Sequence, residues 1–166
     1  MTTSTTLTTA QTATVKAFIL ADATLGPKTS GPGTDYGFIA DSMSSIAAPA
    51  FIVWKSNVSI GAVGDNFVGT ELAGLVGANQ ARLQTIAQFS PNGIDPSLAD
   101  RRAFFDDIFS GAGGTATRAK LLALWKRSAT RIEKVLATGT GSDAAPATMV
   151  YEGGVSINTV ADMFRV

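Results

Sequence analysis

The sequence predicts a mainly α, helical bundle-like domain with a small β element and an extended N-terminal arm. Three observations predict it. Apolar residues recur at spacings of three and four through most of the chain. One stretch, Ala50 to Ile60, abandons that spacing for β-branched and aromatic residues between Pro49 and Gly61. The first thirteen residues are Thr-rich and carry no charged side chain, so they have little surface to bury.

Taken in order, Thr14 to Thr24 reads as a short helix with Val15, Phe18, Ile19 and Asp22 at helical spacing, stopped by Gly26-Pro27. After the loop Lys28 to Gly33, Thr34 is placed to cap a second helix that turns Tyr36, Ile39, Met43 and Ile46 inward, with Asp35 in its first turn. A strand is expected at Phe51 to Trp54, extended by Val58 to Ile60. Thr70 is the expected cap of a third helix carrying Leu72, Leu75, Val76, Leu83, Ile86 and Phe89. Gly74 and Gly77 weaken its first half by about 1 kcal/mol each relative to Ala. Ser90 to Gly93 is a break, and Asp95-Pro96 has the form of a helix start, an Asp cap followed by Pro at the first helical position. Leu98, Arg102, Phe105, Ile108 and Phe109 follow it, with Arg102 and Asp106 as a surface i,i+4 pair.

The stretch from Thr115 to Leu136 is the most basic in the chain. Leu121, Trp125, Ala129, Ile132 and Leu136 recur at helical spacing. At about 100° per residue, Lys120, Arg127, Arg131 and Lys134 then share a narrow arc away from the apolar side. The stripe faces solvent, an acidic neighbour or the phosphates of a polyanion; a phosphate contact would weaken steeply with salt. Thr130-x-x-Glu133 also has the form of a capping box. A helix starting there would split the stripe into two patches. The apolar spacing running through the candidate break favours one continuous helix. Thr138 to Ala145 follows as a loop, Thr148 to Tyr151 as a short strand, and Ser156 as the cap of a terminal helix bearing Ile157, Val160, Met163 and Phe164. The organisation expected is a flexible arm over 1–13, a single mainly helical domain over 14–154 and a C-terminal docking helix over 155–166. A chain cut after Gly154 is expected to keep its core.

Composition bounds the chemistry. Of 166 residues 16% are charged, below the roughly 25% of ordinary soluble domains, which suits a surface made for neighbours. Thirteen basic and thirteen acidic residues cancel, arguing against a dedicated polyanion binder. With neither cysteine nor histidine, disulfides, thiolate nucleophiles, Cys/His zinc centres and imidazole catalysis are excluded. No apolar run approaches the roughly 18 residues of a membrane helix, and the N-terminus lacks a signal-peptide pattern, so synthesis in a cytoplasm and no membrane partner are expected. Gly139-x-Gly141-x-x-Ala144 matches a dinucleotide fingerprint, but a helix precedes it where a strand is needed and Pro146 follows where a helix should begin. Gly111 to Thr115 lacks the Lys of a phosphate loop. Asp106 and Asp107 diverge by roughly 100° on a helix and form neither an acid–base pair nor a metal site. No catalytic residue, cofactor or metal is expected, and the chain is read as a non-enzyme.

Three segments carry a resemblance. They are Ala48-Pro49-Ala50-Phe51-Ile52-Val53-Trp54, Ile94-Asp95-Pro96-Ser97, and Lys126 to Gly153 with its ATGTGS loop, Pro-Ala-Thr-Met run and Tyr-Glu-Gly turn. In these the chain resembles small virion proteins of tailed bacteriophages encoded among the head and neck genes, over Val15 to Gly153. Asp95 stands where that family usually has Asn. The resemblance implies a structural protein, with a head-to-tail adaptor in the neck as the position inferred. Its expected partners are further copies of itself in a ring, a dodecamer by analogy, together with the portal protein and tail or stopper proteins. Packaged DNA in the channel is a further partner. Ile157, Val160, Met163 and Phe164 would then dock on the portal or a neighbour. The alternatives are capsid decoration, another tail-joining component, or a nucleic-acid-binding protein using the basic helix 118–134.

Overall fold

A computed structural model describes residues 4–165 of the chain. The described elements in chain order are α1 (Thr9–Ala21), α2 (Tyr36–Ser44), β1 (Ile52–Trp54), α3 (Ile60–Asp65), α4 (Gly69–Ala73), α5 (Gly77–Phe89), α6 (Ala99–Ile108), α7 (Thr115–Leu124), β2 (Lys126–Ser128), α8 (Arg131–Leu136) and α9 (Ile157–Phe164), with short 3₁₀ turns between some of them. The fold is mainly α with one two-stranded sheet, as the sequence predicts.

The chain divides into two compact units. Unit 1 comprises residues 1–53 and 128–166, and unit 2 is the intervening segment 54–127. The chain leaves unit 1 along β1 and returns along β2. The register is antiparallel: Ala129 donates its N–H to Phe51 O at 2.8 Å, and Lys55 to Trp125 O at 2.8 Å.

In unit 1, α1, α2, α8 and α9 pack on one another. Val15, Ile19, Ile39, Met43, Ile132, Val160 and Met163 meet in a core completed by Leu25, Tyr151 and Val155. Each large apolar side chain so buried contributes roughly 1.5–3 kcal/mol. Every helix of this unit starts on a side-chain cap: Thr8, Asp35, Thr130 and Ser156 each accept from a backbone N–H of the first turn. Ser156 is the cap the sequence predicts, and the second helix is capped by Asp35, one residue after Thr34.

The expected N-terminal arm is different. Thr8 and Gln11 form a capping box, so α1 begins at Thr9, five residues before the predicted start. Ser4 already pairs with the Tyr151 region, donating its N–H to Val150 O at 3.4 Å and accepting from Glu152 N at 3.0 Å. The Thr-x-x-Gln signal lay inside what composition alone marks as a tail. Residues 1–3 of the arm and Val166 of the docking helix lie outside the described residues.

Unit 2 gathers Trp54, Val58, Val63, Ile86, Ile94, Phe105, Ile108, Phe109, Leu121 and Trp125. Val58 and Ile94 exchange two N–H···O bonds of 2.8 Å, so the expected strand extension is a single bridge, and Ile60 opens α3. The predicted third helix is split: α4 ends at Ala73 with Gly74 as its C-cap, and α5 starts at Gly77 behind Val76. The helix expected from Asp95-Pro96 starts at Ala99. Asp95 instead accepts from the Ser97 N–H at 2.9 Å and hydroxyl at 2.6 Å. The Arg102 guanidinium binds the carbonyls of Pro96 and Ser97 and lies 4.1 Å from the Trp54 ring centroid. These bonds hold Pro96 and Ser97 in a turn, and they engage Arg102 where a surface pair with Asp106 was expected. The 148–151 strand is reduced to isolated bridges at Thr148 and Tyr151.

Candidate interaction surfaces

The basic stripe depends on one continuous helix from Thr115 to Leu136, and that helix is absent. α7 ends at Leu124, Lys126–Ser128 is extended, and Thr130 caps a new helix. The reason is tertiary. β1 presents buried backbone groups that need partners, and residues 125–129 supply them. The capping box then restarts the helix, with Thr130 Oγ1 accepting from Glu133 N–H at 3.4 Å and Glu133 Oε2 from Thr130 N–H at 2.8 Å.

The four cations therefore lie on three elements, Lys120 on α7, Arg127 on β2, and Arg131 and Lys134 on α8. Lys120 and Arg127 belong to unit 2, Arg131 and Lys134 to unit 1. Arg131 is engaged within the protein: it bridges Asp22, donates to Ser42 Oγ at 2.9 Å and lies 5.2 Å from the Phe18 ring centroid. Lys134 sits 5.7 Å from the Phe51 ring centroid. The Asp22 carboxyl is held below its ordinary pKa, first by the N–H groups of Leu25 and Thr24 and then by Arg131. Lys120 is exposed on α7. No helix face presents the four to one phosphate backbone.

Glu133 is the group sequence reasoning undervalued. It is 1% exposed, and its second oxygen accepts the Gly153 N–H at 2.8 Å while Thr130 Oγ1 donates to Gly153 O at 3.2 Å. A buried carboxylate satisfied by backbone donors pins the Tyr151-Glu152-Gly153 turn to the start of α8. Tyr151 donates its hydroxyl to Gly154 O, and burial, with the Glu133 charge behind it, raises the phenol's pKa. The T-x-x-E pattern was the visible signal for this site; its long-range half, the bond to Gly153, has no local signature.

The glycine loop proves structural too. Gly141 has φ +66° and its carbonyl accepts from Ile52 N–H at 2.7 Å. A Cβ there would stand 2.2 Å from the Phe51 ring. The loop is closed by Thr138 and Thr148, which exchange two bonds of 2.9 Å. Its glycine serves close approach to an aromatic ring, with no helix N-terminus behind it to hold a phosphate.

In the C-terminal helix, two of the four expected docking residues are inside. Val160 is fully buried and Met163 is 5% exposed, both in the unit 1 core, and Phe164 stacks on Tyr36 with centroids 6.2 Å apart. Only Ile157, 56% exposed, is open to a partner. The short spacing that makes this helix amphipathic fits its own unit as well as a foreign one.

Unit 2 has its own inter-element staple. Glu71 of α4 accepts the N–H groups of Ala116 (3.0 Å) and Thr117 (2.7 Å) at the start of α7, while Thr117 Oγ1 accepts from Val68 N–H at 3.0 Å. The Glu71 pKa is lowered, chiefly by its bonding to Thr117. Among the described residues no group of three or more acids is placed to hold a metal ion, and no helix is long and apolar enough to cross a membrane.

No protein-family model, curated protein or solved structure matches this chain.

Proposed function

We propose that the chain is a structural subunit of a tailed-bacteriophage virion, acting as a head-to-tail adaptor in a ring between portal and tail. The observation that carries the reading is where the resembling residues fall in the fold. Phe51, Thr130, Glu133, Gly141 and Gly153 all lie in the resembling segments. They contact one another in two sets, Phe51 with Gly141 and Thr130 with Glu133 and Gly153, both inside unit 1. These residues hold unit 1 together, and a shared fold would place a resemblance on such residues. The low charge of the chain and the exposed side chains of Phe89, Val76, Ile46 and Ile157 add support, since an assembly subunit keeps apolar surface for its neighbours. The engagement of Arg131 within unit 1 counts against the nucleic-acid reading.

The test is placement in the particle. Purified virions of the phage that carries this gene are labelled with antibody to the chain and imaged. Label at the head–tail junction supports the adaptor. Label spread over capsid faces assigns decoration, and absence from virions overturns the structural reading.

A further inference from the structure

Two patches, one on each unit, set an unpartnered charged side chain beside exposed apolar surface. In unit 1 the acids are engaged with one exception. Asp22 bridges Arg131, Asp35 caps α2, Glu133 holds Thr130 and Gly153, Asp162 pairs with Arg165, and Asp143 and Glu152 have partners of their own. Asp41, exposed on α2, has none among the described residues. One turn before it stands Phe38, 43% exposed and on the same face. Ile157 lies alongside, its terminal methyl 3.8 Å from where a Cβ on Gly37 would stand. The Lys28 ammonium is 5.8 Å from the Phe38 ring centroid.

In unit 2, α5 and α6 flank an apolar cleft of about 390 Å³ lined by Ala81, Ile86, Phe89 and Phe104, with Arg82 and Arg101 at its rim. Phe89 is 81% exposed. Arg82 is occupied, bridging Asp107 at 2.7 Å and lying 5.0 Å from the Phe104 ring centroid. Arg101 is exposed and has no partner among the described residues. A cavity of roughly 150 Å³ suffices for a benzene ring, so the cleft has room for a phenyl side chain.

We infer that the α5–α6 cleft receives the α2 face of a second copy of this chain, with Phe38 entering the cleft and Asp41 pairing with Arg101. Charge complementarity selects this occupant: the one unpartnered acid of unit 1 stands beside an exposed aromatic ring, and an unpartnered cation of unit 2 stands beside an apolar cleft. The patches differ, so the contact is head-to-tail, and such contacts propagate until a rotation closes them into a ring. The inference rests on the subunit reading only in expecting copies of the chain to meet one another.

The experiment is sedimentation of the full chain from micromolar to millimolar concentration, with circular dichroism to confirm folding. Wild type is expected to self-associate. Arg101→Asp and Asp41→Arg, both at exposed positions, are each expected to weaken association about tenfold or more by opposing like charges. The double variant Asp41→Arg/Arg101→Asp restores it, because the pair is reversed rather than removed. Wild type that stays monomeric at millimolar concentration overturns the inference. So does association unaffected by either single reversal, or a double variant as weak as the singles. Binding of the portal that depends on Arg101 while wild type remains monomeric also overturns it and gives the cleft to another protein. Virion labelling is independent of all these variants, so the subunit reading stands or falls separately.

Discussion

Unit 1 and unit 2 are stabilised in different ways. All four helices of unit 1 begin on a side-chain cap and bury a defined face. In unit 2 only α3, capped by Ser59, does so; α4, α5, α6 and α7 start behind Val68, Val76, Leu98 and Gly114 with no side-chain cap. The start of α7 is satisfied from a distance by Glu71. Of the thirteen residues of α5, Ile86 alone is buried. The helix starts of unit 1 are set by local caps and its core includes α9, whereas those of unit 2 depend more on tertiary contacts; both units leave apolar side chains open, Ile46 and Ile157 in unit 1, Val76 and Phe89 in unit 2.

The largest effect is expected from removing α9 and the residues before it from unit 1. Truncation after Gly154 deletes Val155, Val160 and Met163 from the core, at roughly 1.5–3 kcal/mol each. The expected result is loss of cooperative unfolding and of near-UV dichroism for unit 1. A truncated chain with wild-type stability would mean that α9 is the detachable docking tail the sequence suggests.

Next in size is Glu133→Ala. It leaves the Thr130 and Gly153 N–H groups without their carboxylate in a buried site and is expected to cost about 2–3 kcal/mol in denaturant titration. Gly141→Ala should cost about 1–3 kcal/mol, because the residue has positive φ and its Cβ would meet Phe51. Phe51→Ala in that background should recover part of the loss, a non-additivity that two independent sites would not show.

What was legible in the sequence follows the same divide. The Thr130-x-x-Glu133 box, the Ser156 cap and the apolar spacing of α9 are local signals, and they fall in unit 1; of the residues expected inward on the second helix, Ile39 and Met43 are buried, while Ile46 lies beyond its end and is 62% exposed. In unit 2, Thr70 and Asp95 look like caps and are not. Asp95 is taken by Ser97, and Arg102 holds the carbonyls that a helix from Pro96 would need. The continuous basic helix failed for a related reason: helical spacing runs through residues 125–130, but pairing with β1 outweighs it. Of the candidate sites, the stripe was a projection of that helix, and the docking face did not distinguish a residue's own core from a partner's.

A smaller effect separates the units by pH. The folded pKa of Asp22 is depressed, so its stabilisation is complete above the ordinary carboxylate pKa and is lost as pH falls through the folded value. Unit 1 should therefore weaken below about pH 4, and Asp22→Asn should flatten that part of the profile. The smallest change expected is a gain: Val76→Asp gives α5 the cap it lacks, on a residue whose backbone is already extended, and should stabilise unit 2 by about 0.5–1 kcal/mol.

The contrast between a unit of locally capped helices and one whose α5 buries a single residue is tested most directly by amide hydrogen exchange at low and high protein concentration. Amides of α1, α2, α8 and α9 should exchange slowly at every concentration, and those of α5 and α6 should slow as concentration rises and copies cover the cleft. If α5 and α6 exchange as slowly as unit 1 in dilute solution and do not respond to concentration, unit 2 is complete in itself and the contrast is wrong.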